Sequence, residues 1–189
     1  MISLHQSIIV SFCLAVFITL PVSAADMAAG EQKAEPCATC HGPKGNSSNA
    51  QTPTLAAQQS TYLANQLKAY KTGDRITLTM LAMTANLTNE DINNLAAYFS
   101  SQKPAAKAGG DPALAKTGEA KASMCLGCHG ATAQGNGQFP RLAGQHPEYL
   151  VQQLKAFKEG SRKSGTMNAI TANLSEADFK ALAAYFGSL

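Results

Sequence analysis

Two short stretches carry the chemistry of this chain: Cys37-Ala38-Thr39-Cys40-His41 and Cys125-Leu126-Gly127-Cys128-His129. Two thiols three residues apart, with an imidazole directly after the second, suit one planar macrocycle. Each sulfur can add across a vinyl group to form a thioether, and the histidine can then reach the central metal from one side. The spacing Cys-x-x-Cys-His therefore reads as covalent haem attachment. With five Cys and four His in 189 residues, a chance copy is expected roughly 0.003 times, so two copies are no accident. A structural zinc site needs two Cys pairs across a short loop, whereas 84 residues separate Cys40 from Cys125. Thioredoxin-like chemistry needs a βαβ setting, and no strand pattern is present. Two small disulfides would leave both histidines without a role.

Iron held by one histidine takes a second axial ligand, and a Met or a His there sets the potential range. Of the remaining histidines, His5 lies in an N-terminal leader and His146 has Gln59 as its counterpart in the first half. His146 is read as a residue near a helix start. A ligand shared by both halves must come from a residue type present in both. Met80 and Met167 meet that condition, each following a Thr and preceding an Asn-Leu pair by the same distance. Met27 and Met124 lie outside the loop where such a ligand falls. Met83 stands where the second half has Ile170, and it offers a competing thioether.

The elements that must position these groups occur twice. Gly30-Glu31 returns as Gly118-Glu119, Pro53-Thr54-Leu55-Ala56 as Pro140-Arg141-Leu142-Ala143, and the stretch from Tyr62 to Lys71 as Tyr149 to Lys158. The offset is 88 up to the Cys pair and 87 from Pro53 onwards, so one residue is lost between Gly42 and Pro53 in the second copy. A tandem duplication explains the order. Tyr62, Leu63, Leu67 and Tyr70 follow a helical period that stops at Gly73. Thr88-Asn89-Glu90-Asp91 and Ser175-Glu176-Ala177-Asp178 read as capping boxes opening the last helix of each half. The fold class is all-α. Ser100 to Asp111, with Pro104, Gly109 and Gly110, reads as an exposed linker. Each half has only about 80 residues, so a hydrophobic core alone would be marginal and an internal staple is expected.

Composition narrows the rest. A hydrophobic share of 45% with a net charge of +3 excludes a disordered chain, and it is far from the dense basic stripe that nucleic acid needs. Ile8 to Leu20 is an uncharged apolar run of 13 residues, too short to span a bilayer. Pro21 and the small residues Val22-Ser23-Ala24 after it complete the pattern of a signal peptide over residues 1–24, removed on export, with cleavage after Ala25 as the alternative. Residues 25–104 balance six basic against six acidic side chains, whereas residues 105–189 hold nine against six. Lys155, Lys158, Arg162 and Lys163 gather at one helix end. They read as a solvated end favoured by the dipole, or else as a docking face for an acidic partner.

Together these motifs resemble the di-haem cytochrome c4 family, built from two tandem class I cytochrome c domains, over essentially the whole mature chain. The resemblance implies domains at 25–102 and 112–189 joined by a linker at 103–111. It implies two covalent haem c groups, attached through Cys37 and Cys40 and through Cys125 and Cys128. The iron ligands would be His41 with Met80 and His129 with Met167. It implies that the carbonyls of Pro53 and Pro140 accept from the proximal histidines. Gly30 and Gly118 would let the first helix of each domain cross the last closely, near Tyr98-Phe99 and Tyr185-Phe186. With both axial positions filled there is no small-molecule substrate. The implied protein is a periplasmic electron carrier and not an enzyme, with redox protein partners: a respiratory donor and a terminal oxidase, met in solution or at the membrane surface. The rival reading is a di-haem electron-transfer subunit of a sulfur-compound dehydrogenase, or a peroxidase.

Overall fold

The computed structural model describes residues 25–105 and 107–189; the leader expected at 1–24 lies outside them. The first half contains α1 (Met27–Lys33), α2 (Glu35–His41), a 3-10 turn at Pro43–Gly45, α3 (Ser60–Thr72), α4 (Leu78–Thr84) and α5 (Asn89–Ser101). The second contains α6 (Pro112–Glu119), α7 (Ser123–His129), α8 (Pro147–Lys158), α9 (Gly165–Ala172) and α10 (Glu176–Ser188). A single isolated bridge, Asn136 to Phe139, is the one β feature among the described residues. The fold is all-α, as the helical periods require.

Local chemistry explains the helix ends. Thr88 and Ser175 each accept from the amide three residues on, while Asp91 and Asp178 reach back, so both capping boxes form. Gly73 ends α3 in the left-handed conformation at φ 80°. Two short helices, α4 and α9, occupy what reads from sequence as the loop before the last helix. Thr84 and Thr171, both buried, donate to the carbonyls of Met80 and Met167 at 2.8 Å each, one turn back in the same short helix, so each hydroxyl is satisfied where the helix packs on its domain.

Each half has its own core. In the first, Ala34, Leu63, Leu95, Ala96, Tyr98 and Phe99 pack together; in the second, Ala122, Ala133, Ala143, Leu150, Leu182, Ala183 and Phe186 do so. Helix α1 lies on α5 and α6 lies on α10. The crossings are tight: a Cβ on Gly30 would stand 2.3 Å from the Asn94 carbonyl oxygen, and one on Gly118 would stand 2.0 Å from that of Ala181. Both fall beside the Cβ of Tyr98 or Tyr185, as the resemblance implies.

The repeat register changes between Gly45, which matches Ala133 in accepting from two later amides, and Ser47, which matches Gln134. Asn46 is thus the extra residue of the first half. Its side chain donates to the Lys103 carbonyl and accepts from the Ala105 amide, gripping the segment that leads to the second half. Helix α5 runs to Ser101, so Ser100 and Ser101 belong to it and not to the linker. At its far end the linker is packed rather than free: Gly109 donates to the Gly187 carbonyl at 3.0 Å, and Gly110 lies against Ala184.

The halves meet in a pseudo-twofold polar seam. Arg75 donates to Gln66, Tyr149 and Gln153, and Arg162 donates to Gln153, Tyr62 and Gln66, all between 2.7 and 3.0 Å. The two guanidiniums stack on Tyr70 and Phe157 at 4.6 and 4.4 Å from the ring centroids. Gln59 donates to the Gln134 carbonyl, and His146 bonds the Ser47 carbonyl at 2.9 Å. His146 is thus an interface residue at the head of α8, as its place near a helix start implies. Arg162 departs from its sequence reading, because it is only 8% exposed and faces the other domain.

Candidate haem-binding sites

The two Cys-x-x-Cys-His motifs form α2 and α7. On a helix, positions i, i+3 and i+4 share a face, so both thiols and the imidazole of each motif lie on one side. All four cysteines are free, with Cys37 and Cys125 half-buried and Cys40 and Cys128 exposed. Burial pushes the Cys37 and Cys125 thiols up, which keeps them protonated rather than as metal-binding thiolates. Among the described residues, no three of His, Cys, Asp or Glu converge as a bare metal ion would require.

His41 and His129 are buried, at 8% and 6% exposed. Burial lowers the basicity of both, and the carbonyl beside each opposes that only in part. Their Nδ1 atoms lie 2.8 Å from the carbonyl oxygens of Pro53 and Pro140. A carbonyl can only accept, so Nδ1 carries the proton and the Nε2 lone pair is left for a metal. That is the tautomer and orientation a proximal haem ligand needs, and the donor set fits haem c: two thiols for the vinyl groups and one oriented imidazole for iron.

Met80 on α4 and Met167 on α9 are both half-buried at equivalent positions. Met83 is 42% exposed, while its counterpart Ile170 is half-buried. The two sites are not identical. The Phe139 ring stands edge-on to His129 at 6.4 Å between centroids, and the equivalent position in the first half is Thr52.

The basic cluster read from the sequence is not a free patch. Lys155 pairs with Glu176 at 2.8 Å, Lys158 donates to the Leu174 carbonyl at 2.6 Å, and Arg162 is buried in the seam. Only Lys163 of the four stands apart from these contacts. Sequence reading overlooked Arg75, Gln58 and Gln145 altogether. Their signal was present, since Gln58/Gln145, Gln66/Gln153 and Arg75/Arg162 recur at the repeat offset of 87.

Two helical domains, each with a Cys-x-x-Cys-His helix whose histidine is oriented by a proline carbonyl and with a methionine on a second short helix, define the tandem cytochrome c class. Comparison with known proteins gives the same answer. The cytochrome c family model matches residues 27–103 and 115–189. Cytochrome c4 of Azotobacter vinelandii is 38% identical over 96% of this chain and 98% of its own. The crystal structure of reduced recombinant cytochrome c4 from Pseudomonas stutzeri superposes with a TM-score of 0.82 at 39% identity, covering 88% of this chain and all of that one. A thiosulfate dehydrogenase electron acceptor of Thiomonas intermedia is 33% identical over 87% of this chain and 83% of its own. The chain belongs to the di-haem cytochrome c4 family, whose two domains carry covalent haem c and transfer electrons.

Proposed function

We propose that this protein is a periplasmic carrier that takes electrons one at a time from a respiratory donor and delivers them to a terminal oxidase, without catalysis of its own. The observation that carries this reading is the doubled site: His41 and His129 are each bonded at 2.8 Å to a proline carbonyl, and Met80 and Met167 stand at equivalent positions on α4 and α9 as the second ligands of this reading. Bound haem c supplies a one-electron couple at each site. The protein's part is to hold that couple with little rearrangement. Cys37, Cys40, Cys125 and Cys128 would tether it, Nε2 of His41 and of His129 would be the iron ligands, and the Pro53 and Pro140 carbonyls hold both rings.

Sulfur of Met80 and Met167 as the second ligand would favour the reduced state and would leave no open position for peroxide or oxygen. Domain limits of 25–102 and 112–189 belong to this reading, since each pair of ligands then falls within one domain. The periplasmic location rests on the leader-like pattern at 1–24, an apolar run at 8–20 followed by Pro21 and small residues.

The test uses protein matured with haem-attachment machinery. It should carry two haems that survive acid-acetone extraction, show low-spin bands, and bind neither carbon monoxide nor cyanide. It should be reduced by respiratory membranes and reoxidised by an oxidase-containing fraction. Ready ligand binding would point to an enzyme, and failure to react with membranes would remove the oxidase branch. The relationship to a thiosulfate dehydrogenase electron acceptor favours a second donor. Reduction by purified thiosulfate dehydrogenase plus thiosulfate, faster than by the membrane donor, would support that branch instead.

A further inference from the structure

Each proximal histidine is connected to the other domain through a single peptide group. The Pro53 carbonyl that accepts from His41 shares its peptide with the Thr54 amide. That amide donates to Oε1 of Gln145 in the second domain at 2.9 Å, while Gln145 Nε2 donates to the Thr54 carbonyl at 2.9 Å. The mirror arrangement serves the other site. The Pro140 carbonyl accepts from His129, the Arg141 amide of the same peptide donates to Gln58 Oε1 at 2.7 Å, and Gln58 Nε2 donates to the Arg141 carbonyl at 3.0 Å. Both glutamines are 6% exposed, and each Oε1 also accepts from the next residue's amide, Gln59 or His146. These are buried, fully satisfied bonds, repeated by a duplication that kept both ends.

We propose that Gln145 and Gln58 are positioning residues that tune the potential of the haem in the opposite domain. A peptide whose N–H is drawn to an acceptor carries more electron density on its carbonyl oxygen, because hydrogen bonds in a chain polarise one another. Gln145 therefore makes Pro53 a stronger acceptor, Pro53 draws harder on the His41 Nδ1 proton, and the ring becomes a more electron-rich ligand. An electron-rich ligand stabilises the oxidised metal, so each clasp holds the potential of the opposite site down. The two sites are thereby coupled across the seam by bonds at the ligands themselves, and any partner that shifts the seam would shift both potentials.

The proposal rests on His41 and His129 being iron ligands, and the experiment separates the two ideas. In mature di-haem protein, the hyperfine-shifted ring protons of His41 and His129 in the oxidised state report ligation independently of any potential. If they are missing, the ligand assignment fails. If they are present, a redox titration followed by each domain's own haem signals tests the relay.

Gln145→Leu should raise the potential of the N-terminal haem, and Gln58→Leu that of the C-terminal haem. In each, the reduced-to-oxidised ratio at a fixed poise should rise by about two- to threefold, since polarisation strengthens a bond by roughly a tenth to a third. Gln145→Glu keeps an acceptor for the Thr54 amide, so it should not raise the potential, and it keeps the test open if the leucine variant does not mature. A shift in the haem of the substituted domain, an equal shift in both as loosening of the seam would produce, or a rise in Gln145→Glu matching that in Gln145→Leu would overturn the proposal.

Discussion

The methionines are where two readings of one residue type part most clearly. Met80 and Met83 lie three residues apart on α4, but Met80 is half-buried at the position equivalent to the half-buried Met167. Met83 is 42% exposed, consistent with a flexible side chain packing at an edge. Met80→Leu should therefore abolish one of two Fe–S charge-transfer bands and lower one haem's potential, whereas Met83→Leu should keep both bands. The opposite result would show that the repeat register does not carry the ligand. The lysines teach a related point. Lys155 and Lys158 are engaged at the head of α10 and with the Leu174 carbonyl, and Arg162 is inside the seam. A charge run on one strip of sequence was three different environments in space.

Among the elements, the crossings of α1 with α5 and α6 with α10 are the least tolerant. Neither Gly30 nor Gly118 has room for a methyl group, because the neighbour in each case is backbone and cannot swing away. Gly118→Ala should lower stability by about 2–3 kcal/mol, the upper range of overpacking, and should unfold the second domain first in a thermal melt followed by its own haem signal. An unchanged melting temperature would mean the helices can slide apart at little cost. The caps are milder. Thr88→Ala removes a side chain that accepts from the Asp91 amide, and should cost about 1 kcal/mol.

Acid should act on these same caps. Lys121, Ser175 and the Ser175 amide together hold the Asp178 carboxyl well below the usual range, and the Thr88 amide with Lys33 lowers that of Asp91. A depressed folded pKa means the stabilisation is present above the ordinary value of about 3.9 and is lost as pH falls below it. Asp178→Asn should therefore melt lower than the parent at pH 6, and the gap should begin to narrow only as the pH falls below about 3.9, most of it persisting at about pH 3. A gap that does not narrow on acidification would remove the carboxylate from the account.

On the scale of the whole molecule, the seam sets how the two sites move together. Arg75 and Arg162 are each 8% exposed and share Gln66 and Gln153, so the two cations are held by neutral acceptors rather than by carboxylates. A hydrogen bond to a charged group contributes about 1.5–3 kcal/mol, and removing one partner leaves the others buried without one. The double substitution Arg75→Ala with Arg162→Ala should loosen the pairing of the domains. Small-angle scattering should then show a larger radius of gyration, with both haems still attached and low-spin. An unchanged radius would mean that the glutamine clasps and the linker suffice to hold the halves together.

Much of this protein was legible in its sequence because its decisive features are local or repeated. The Cys-x-x-Cys-His spacing needs only one helical turn to place its three groups on a face, and the capping boxes need only four consecutive residues. The duplication itself marked Met80 against Met167 and Pro53 against Pro140. Other features needed the folded chain. Sequence alone could not show that the methionine loops are short helices, since tertiary packing and the buried threonines stabilise them. Nor could it show that Arg162 points inward, since a cation beside two lysines looks solvated until an opposing face of Tyr62, Gln66 and Gln153 is brought against it. The clasps of Gln58 and Gln145 join residues 83 and 91 apart in the chain. No local rule reaches that far. Contacts of such separation exist only once both domains have folded and their seam has closed, and that closure connected the proline carbonyls beside His41 and His129 to the other half of the molecule.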